Sequence, residues 1–245
     1  MKPMESSRRT GIAFAVLAAV LYAINAPCSK ILLAYVPSTL LAGLLYLGAG
    51  LGMCLISLLR RLRKSGPAEG KLTRAELPYT VAMIVLDIAA PIFLLAGLNF
   101  TSAANVSLLN NFEIVATALI ALFVFKEVIH PKLWCGILAV TLACAILSFE
   151  DLSSLRFSYG SLLVLLAATC WGLENNCTRK LSSKDPLQIV LLKGLFSGTG
   201  SLMIGLCLGE RAKTGWCTPL ALMLGFVAYG LSIYFYVYAQ RLLGA

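Results

Sequence analysis

A chain of 245 residues in which 59% are hydrophobic and only 13% are charged does not have the composition of a water-soluble protein. A soluble fold of this length needs far more charge to cover its surface, so we expect lipid to be the solvent for most of this sequence. The formal net charge of +9 fits cytoplasmic loops that face anionic lipid, and because no nucleic-acid-binding motif accompanies it, we expect no nucleic acid partner.

The apolar residues form eight segments that each approach the length of about 20 residues needed to cross a bilayer as a helix. The first segment is too long for the apolar part of a signal peptide, so we expect it to be retained. The sequence therefore predicts an all-α, polytopic helical membrane protein. The predicted spans cover residues 11–33, 37–59, 77–98, 102–125, 132–149, 159–179, 186–208 and 217–240.

The Lys and Arg residues between these spans predict the orientation of the chain. If the N-terminus is inside, the inner loops contain 15 Lys and Arg residues and the outer loops contain four. Cytoplasmic loops of membrane proteins carry the excess of positive charge. We therefore expect a multi-pass protein of the inner or plasma membrane with a cytoplasmic N-terminus.

The sequence also contains an internal repeat. Residues 22–30 align with residues 171–179, and Pro37 aligns with Pro186 at the same offset. One repeat contains five spans, and an odd number means that the second copy has the opposite orientation in the membrane. We expect a first repeat over residues 1–150 and a partial second repeat over 151–245. The second copy has only three spans, so eight of an expected ten are present, and we expect the native chain to extend beyond Ala245.

Three segments resemble the EamA-type members of the drug/metabolite transporter superfamily. They are the segment AGLNFTSAANVSLL at residues 96–109, the span that ends in Phe125-Lys126-Glu127, and Trp171-Gly172 at the start of the second copy. The resemblance implies ten helices in inverted halves and the export or exchange of metabolites, amino acids or toxic solutes. The chain differs from that pattern in lacking the last two helices.

Ionisable residues inside the predicted spans are candidates for function, because each costs about 2.5–3.5 kcal/mol at a helix centre. Glu113 follows Asn110 and forms a polar patch with Asn105, because residues 105, 109 and 113 share one helical face at i, i+4 spacing. We favour a role for Glu113 in binding a solute or taking up a proton. The alternative is a carboxylate that only joins helices.

The other intramembrane ionisable residues leave more alternatives open. Glu174 and Asn175 lie in the later half of span 6, where a carboxylate that reaches the membrane surface explains Glu174 as well as a function does. We hypothesise that Lys193, in span 7, pairs with Glu113 or Glu174. Asp87 lies four residues before Pro91, where polar groups tend to collect around a kink, so function and structure are equally good explanations.

The first span contains Asn25 and Pro27, which suggest a broken or bent helix, although a simple packing kink is the favoured interpretation. The repeat relates Tyr22 of this span to Trp171 of the sixth span. We include Tyr22, Asn25 and Trp171 among the candidate residues of a substrate site.

These features favour a secondary transporter that moves a small metabolite, amino acid or drug-like solute by alternating access, with export as the preferred direction. Coupling to protons through Glu113 and simple exchange are both open as energy sources. The chain contains no Walker-type loop, and its only histidine, His130, lies in a predicted loop. We therefore expect no ATP-driven pumping, no enzyme activity, no cofactor and no metal. A channel or a non-transporting accessory subunit is the alternative, and the Gly-x-x-x-Gly pairs favour packing within the chain over a homodimer.

Overall fold

The structure is a computed structural model that describes residues 2–62, 70–98, 100–128, 130–147, 149–151 and 156–243. Helices cover each of the predicted spans, which confirms the all-α class. The α-helices are α1 (Lys2–Leu32), α2 (Ser38–Leu62), α3 (Leu77–Leu98), α4 (Ala103–Leu109), α5 (Phe112–Phe123), α6 (Pro131–Leu147), α7 (Tyr159–Leu181), α8 (Pro186–Leu192), α9 (Gly198–Cys207), α10 (Cys217–Leu224) and α11 (Leu231–Leu243).

Other regular elements join or extend these helices. A 3₁₀ turn at Arg74–Glu76 leads into α3, and π-helical segments at Lys193–Ser197 and Gly225–Gly230 join α8 to α9 and α10 to α11. Between α6 and α7 the chain forms a short antiparallel pair of strands, β1 (Phe149–Asp151) and β2 (Arg156–Phe157).

Six helices in the described part of the chain are long and apolar enough to cross a membrane. The helix over Pro131–Ile146 is apolar but shorter, and the second half of α7 carries Glu174, Asn175 and Asn176, so neither of these two is among the six. The six helices extend over Arg8–Ser29, Ser38–Arg60, Arg74–Gly97, Asn105–Phe123, Pro186–Cys207 and Cys217–Leu243.

The chain forms two compact units. Unit 1 consists of Met1–Ile84 and Thr178–Ala245, and unit 2 consists of Val85–Cys177, so the boundaries fall inside α3 and α7. These units group residues by packing, whereas the predicted repeats group them by sequence similarity. The division into repeats at residue 150 stays a prediction.

The helix α2 packs against α8, α9, α10 and both π segments in unit 1. These contacts bring backbones together at glycines. A Cβ atom added to Gly48 would lie 2.1 Å from the carbonyl oxygen of Leu222, and one added to Gly194 would lie 2.3 Å from the backbone nitrogen of Gly50. Only glycine permits such an approach, which agrees with the packing within the chain that the Gly-x-x-x-Gly spacing predicts.

The second π segment shapes this contact. A Cβ atom on Gly225 would lie 2.2 Å from the carbonyl oxygen of Leu45, and one on Gly230 would lie 2.9 Å from the Cα of Ala49, so both glycines face α2. Residues i and i+5 point to different sides of an α-helix. The wider turn of a π-helix, with its i→i+5 hydrogen bonds, places them on one side. The π segment therefore allows both glycines to contact α2.

At one end of unit 1, the link between α1 and α2 meets the link between α9 and α10. The backbone nitrogen of Lys213 donates to the carbonyl oxygen of Tyr35 at 2.8 Å. Glu210 Oε2 accepts a hydrogen bond from the backbone nitrogen of Leu40, also at 2.8 Å. Leu40 is in the first turn of α2, so Glu210 satisfies one of the amide groups that a helix start leaves without a partner in its own helix.

At the other end of unit 1, basic side chains tie the last turns of helices to the turn between α7 and α8. The guanidinium group of Arg241, in α11, donates to the carbonyl oxygens of Ser182 and Lys184. The Lys184 ammonium pairs with a carboxylate oxygen of Glu76 at 3.0 Å. These contacts hold the links between the helices without involving the helix interiors.

Candidate functional site

Within the predicted fourth span, Asn110 and Asn111 form an interruption between α4 and α5 in which the backbone stays right-handed but backbone hydrogen bonds run to the third residue before, as at Asn111 and Glu113. The Nδ2 of Asn111 donates to the carbonyl oxygens of Ser107 and Leu108 at 3.2 and 3.1 Å. Asn side chains that bond to nearby backbone groups in this way compete with the helix. Both asparagines keep right-handed helical φ and ψ, and Asn105–Phe123 is one of the helices long enough to cross a membrane. The predicted span over residues 102–125 is therefore confirmed, and the face shared by Asn105 and Glu113 stays a prediction.

The interruption puts Glu113 in the first turn of α5. Its Oε1 accepts a hydrogen bond from the Nδ2 of Asn175, on α7, at 2.7 Å. A carboxylate is favoured near a helix N-terminus, so the position of Glu113 and the donor on Asn175 are both favourable for a carboxylate. The structure thus brings together Glu113 and Asn175, two predicted site residues, within unit 2.

The two other asparagines of the predicted site lie on the α4 side of the interruption. Asn105 is half-buried, and its backbone nitrogen donates to Ser102 Oγ at 3.2 Å. The buried Oδ1 of Asn110 accepts no hydrogen bond from the residues that the structure describes. A buried polar oxygen without a donor costs free energy, so a hydrogen-bond donor on a solute would be favourable at Asn110.

The remaining candidates of unit 2 lie on α3 and α7. Trp171 is half-buried, and Glu174 is only 4% exposed, so the carboxylate of Glu174 is inside the protein. Asp87 is 1% exposed. Helix α3 continues through Pro91, which has no N–H to donate to the carbonyl oxygen of Asp87 one turn earlier.

Tyr22 and Asn25 lie in unit 1, on α1. Tyr22 is exposed, and its ring centroid is 6.3 Å from that of Tyr229. Asn25 Oδ1 accepts a hydrogen bond from Ser29 Oγ at 3.1 Å. Helix α1 continues through Pro27, so the first span is not broken there, and a bend at Pro27 stays a prediction. The local bond from Ser29 occupies Asn25 within its own helix.

Lys193 also lies in unit 1, where it is the first residue of the first π segment and is 6% exposed. π segments are rare in α-helices and are frequent at functional sites. The pairing of Lys193 with Glu113 or Glu174 stays a prediction.

Sequence reasoning left Gly172, Asn176 and Thr117 out of the candidate site. A Cβ atom on Gly172 would lie 2.7 Å from the Cβ of Ala116, so α7 approaches α5 closely at this point. Asn176, one turn later, donates from Nδ2 to the carbonyl oxygens of Thr117 and Gly172, each at 2.9 Å. The i, i+4 spacing of a glycine and an asparagine on α7 was the one signal that indicated such a contact.

A multi-pass helical protein with a hydrogen-bonded carboxylate inside its helices has features that are typical of membrane transporters. A profile of the EamA-like transporter family matches residues 9–149 and 158–245. The chain therefore belongs to the EamA-like transporter family, which is part of the drug/metabolite transporter superfamily.

Two individual proteins illustrate this relationship. An uncharacterized transporter of Methanothermobacter thermautotrophicus is 27% identical over 246 residues, which cover 94% of this chain and 71% of the relative. A crystal structure matches this chain with a TM-score of 0.66 and 16% sequence identity, and the match covers 96% of this chain and 78% of the chain in the crystal structure. At this identity the match establishes a similar fold alone.

Proposed function

We propose that this protein is a secondary transporter that exports a small metabolite, amino acid or drug-like solute by alternating access. We propose further that Glu113 is the group that binds the solute or takes up a proton during the transport cycle. The observation that carries the proposal is the 2.7 Å hydrogen bond from Asn175 to Glu113 beside the interruption between α4 and α5. Polar side chains at local departures from α-helical geometry often build the sites of transporters.

The chemistry of this pair suits a reversible switch. The Asn175 amide stabilises ionised Glu113 by donating to it. A proton, or a cationic group on the solute, would neutralise the carboxylate and weaken that hydrogen bond. The amide hydrogen would then be available to the solute, as would the buried Oδ1 of Asn110. A site of this kind binds two species in alternation, as exchange across a membrane requires.

The orientation is part of the same proposal. We propose that the N-terminus is cytoplasmic and that the membrane is the inner or plasma membrane. The end of unit 1 at which α2 and α11 finish is rich in basic residues, which supports this orientation under the positive-inside rule. Those residues are Arg60, Lys71, Arg74, Lys184 and Arg241. An epitope tag at the N-terminus should react with antibody only after the cells are made permeable. Labelling of intact cells would show that the N-terminus is outside and would contradict the proposed orientation.

The test of transport compares cells that produce the whole chain, its Glu113→Gln variant or an empty vector at matched protein levels. The composition of the growth medium is measured by mass spectrometry. Glutamine keeps the oxygen that accepts from Asn175 but has no negative charge and takes up no proton. Glu210→Gln is the matched control, because Glu210 is a carboxylate in unit 1 that bonds to a backbone nitrogen.

We expect the wild-type chain and Glu210→Gln to enrich the same solutes in the medium and Glu113→Gln to give the empty-vector composition. Enrichment by Glu113→Gln equal to that by the wild type would remove Glu113 from the mechanism. A wild-type composition equal to that of the vector would contradict export. Everted vesicles with a fluorescent pH probe then test proton coupling. If transport of an enriched solute is coupled to protons through Glu113, adding that solute should change the internal pH in vesicles with the wild-type chain and not in vesicles with Glu113→Gln.

A further inference from the structure

Asn176 is the buried residue that connects the two helices of the Glu113 site. It is 3% exposed, and its Nδ2 donates across to the carbonyl oxygen of Thr117 on α5 and back to that of Gly172 on α7. An amide nitrogen has two hydrogens to donate, so these two bonds use its whole donor capacity. Asn176 therefore fixes α7 to α5 by a specific contact in addition to general apolar packing.

The contact lies one turn from the functional pair. Thr117 follows Glu113 by four residues on α5, and its hydroxyl donates to the carbonyl oxygen of Glu113 at 2.7 Å. Asn176 follows Asn175 directly on α7. A shift of α7 along α5 that broke the bond from Asn176 to Thr117 would also move the Asn175 amide relative to Glu113.

The helix-to-helix bond is not needed to satisfy a backbone group of α5. The Thr117 carbonyl accepts within its own helix from the residue four positions later, so loss of the Asn176 side chain leaves it with a partner. Gly172 sets the distance between the helices, because a Cβ atom there would lie 2.7 Å from that of Ala116. Gly172 thus allows α7 to lie close to α5, and the bond from Asn176 fixes the position of α7 along α5.

We propose that Asn176 is a positioning residue of the Glu113 site, holding α7 against α5 in the register in which Asn175 donates to Glu113. The inference rests on the proposed function of Glu113 and adds a residue that touches neither the solute nor the carboxylate. It requires that a change at Asn176 act on Glu113 only while Asn175 is present.

The test measures the rate at which dicyclohexylcarbodiimide modifies Glu113 in the purified whole chain, read from the mass of the Glu113 peptide. Hydrophobic carbodiimides add to protonated carboxyl groups inside membrane proteins, and a donor bonded to Oε1 opposes both protonation and attack. Asn176→Thr is the main variant, because a threonine hydroxyl still bonds to the carbonyl of Gly172 one turn earlier but is too short to reach α5. Thr169→Val is the matched control, since Thr169 bonds only within α7, to the carbonyl oxygen of Leu165 at 2.8 Å.

We expect Asn175→Ala to raise the labelling rate about tenfold and Asn176→Thr to raise it about threefold, with Thr169→Val at the wild-type rate. The double variant Asn175→Ala/Asn176→Thr should label no faster than Asn175→Ala, because the positioned bond is then already absent. Multiplication of the two effects, or a wild-type rate in Asn176→Thr beside a raised rate in Asn175→Ala, would overturn the positioning role. A wild-type rate in Asn175→Ala would instead contradict the proposed Glu113 site.

A second variant covers the case in which Asn176→Thr fails to fold. Asn176→Ser introduces a side chain smaller than threonine, and its hydroxyl likewise reaches the carbonyl of Gly172 within α7 but not α5. If the register controls Glu113, this variant should also raise the labelling rate, and the increase should again vanish in the Asn175→Ala background. An Asn176→Ser protein that labels at the wild-type rate would contradict the inference.

Discussion

The two units of this transporter are held together by different kinds of contact. Unit 1 is held together at its centre by backbone contacts between glycines, such as the approach of Gly194 to Gly50 on α2, and it has hydrogen bonds and an ion pair at its two ends. Unit 2 has polar side chains in its interior, where Asn175 bonds to Glu113 and Asn176 bonds to Thr117.

The glycine contacts and the buried polar pairs are expected to have different roles, the first in stability and the second in function. Close backbone packing gains dispersion energy and tolerates few substitutions, whereas a buried amide–carboxylate pair gains little net stability because both groups lose their hydration. Polar pairs of the second kind are retained when they perform a function. We therefore expect substitutions at the glycine contacts of unit 1 to change mainly stability and substitutions at the Glu113 site of unit 2 to change mainly transport.

The largest effect should come from Gly48→Ala in unit 1. The added Cβ would lie 2.1 Å from the carbonyl oxygen of Leu222, and this backbone atom has no rotamer with which to move away. We expect a loss of about 3 kcal/mol, at the upper end for overpacking. Unfolding in detergent can be followed with a thiol-reactive dye, because the thiols of Cys144, Cys177 and Cys217 are buried.

The matched control for this substitution is Gly136→Ala on α6, where nothing lies within 4 Å of the added atom. Alanine is a better helix former than glycine, so this variant should be unchanged or more stable by up to about 1 kcal/mol. An equal loss in both variants would show that glycine in general, rather than the contact with α2, determines the stability.

The next effect concerns the interruption in unit 2. Replacing Asn110 and Asn111 together by alanine should join α4 to α5, because alanine favours the helix and removes the competing bonds to Ser107 and Leu108. We expect transport to fall about tenfold or more as Glu113 changes position, with stability unchanged or raised by up to about 1 kcal/mol. Solute enrichment in the medium and dye-detected unfolding measure the two quantities. Parallel losses of transport and stability would mean that the interruption is structural.

A smaller loss of stability is expected when Glu210 is changed to alanine. Its carboxylate accepts from the Leu40 amide in the first turn of α2, and removing such a bond at a helix start costs about 1 kcal/mol. Glu210→Gln keeps an accepting oxygen and should lose less than half as much. If the glutamine variant unfolds at the temperature of the alanine variant, the negative charge rather than the bond stabilises α2.

The smallest effect should come from the ion pair between Lys184 and Glu76. Both side chains are partly exposed, at 24% and 18%, so water and salt screen the interaction. A double-mutant cycle with Lys184→Met and Glu76→Gln should give a small coupling at low salt that disappears in 1 M NaCl. A large coupling that persists in salt would mean that this end of unit 1 is tied as firmly as its centre.

The helices could be predicted from the sequence because hydrophobicity alone limits where the chain crosses lipid. The prediction of a span over residues 37–59 corresponds to α2 at Ser38–Leu62, and the prediction over 186–208 corresponds to α8, the first π segment and α9. The class of protein and the family followed from the same apolar pattern and from segments such as Trp171-Gly172.

The features that build the candidate site were harder to predict, because they depend on partners that are distant in sequence. The residues Asn175 and Glu113 are separated by 62 positions, so only the fold brings them together. Asn110 and Asn111 do not disturb the average hydrophobicity of their span enough to reveal an interruption. The π segment around Gly225 and Gly230 leaves a trace only in a glycine spacing of five, which α-helical periodicity treats as noise.

The interleaved order of the units has a consequence for how the chain is made. Unit 2 is inserted between the two parts of unit 1, so the residues that cover the glycine face of α2 are synthesised about 145–180 positions after it. At about 5–20 residues per second, that face stays next to lipid or the insertion machinery for roughly 7–36 s. The ribosome thus completes the polar pair of unit 2 before unit 1 can close, which makes the bare face of α2 the point at which a quality-control chaperone or protease would recognise an unfinished molecule.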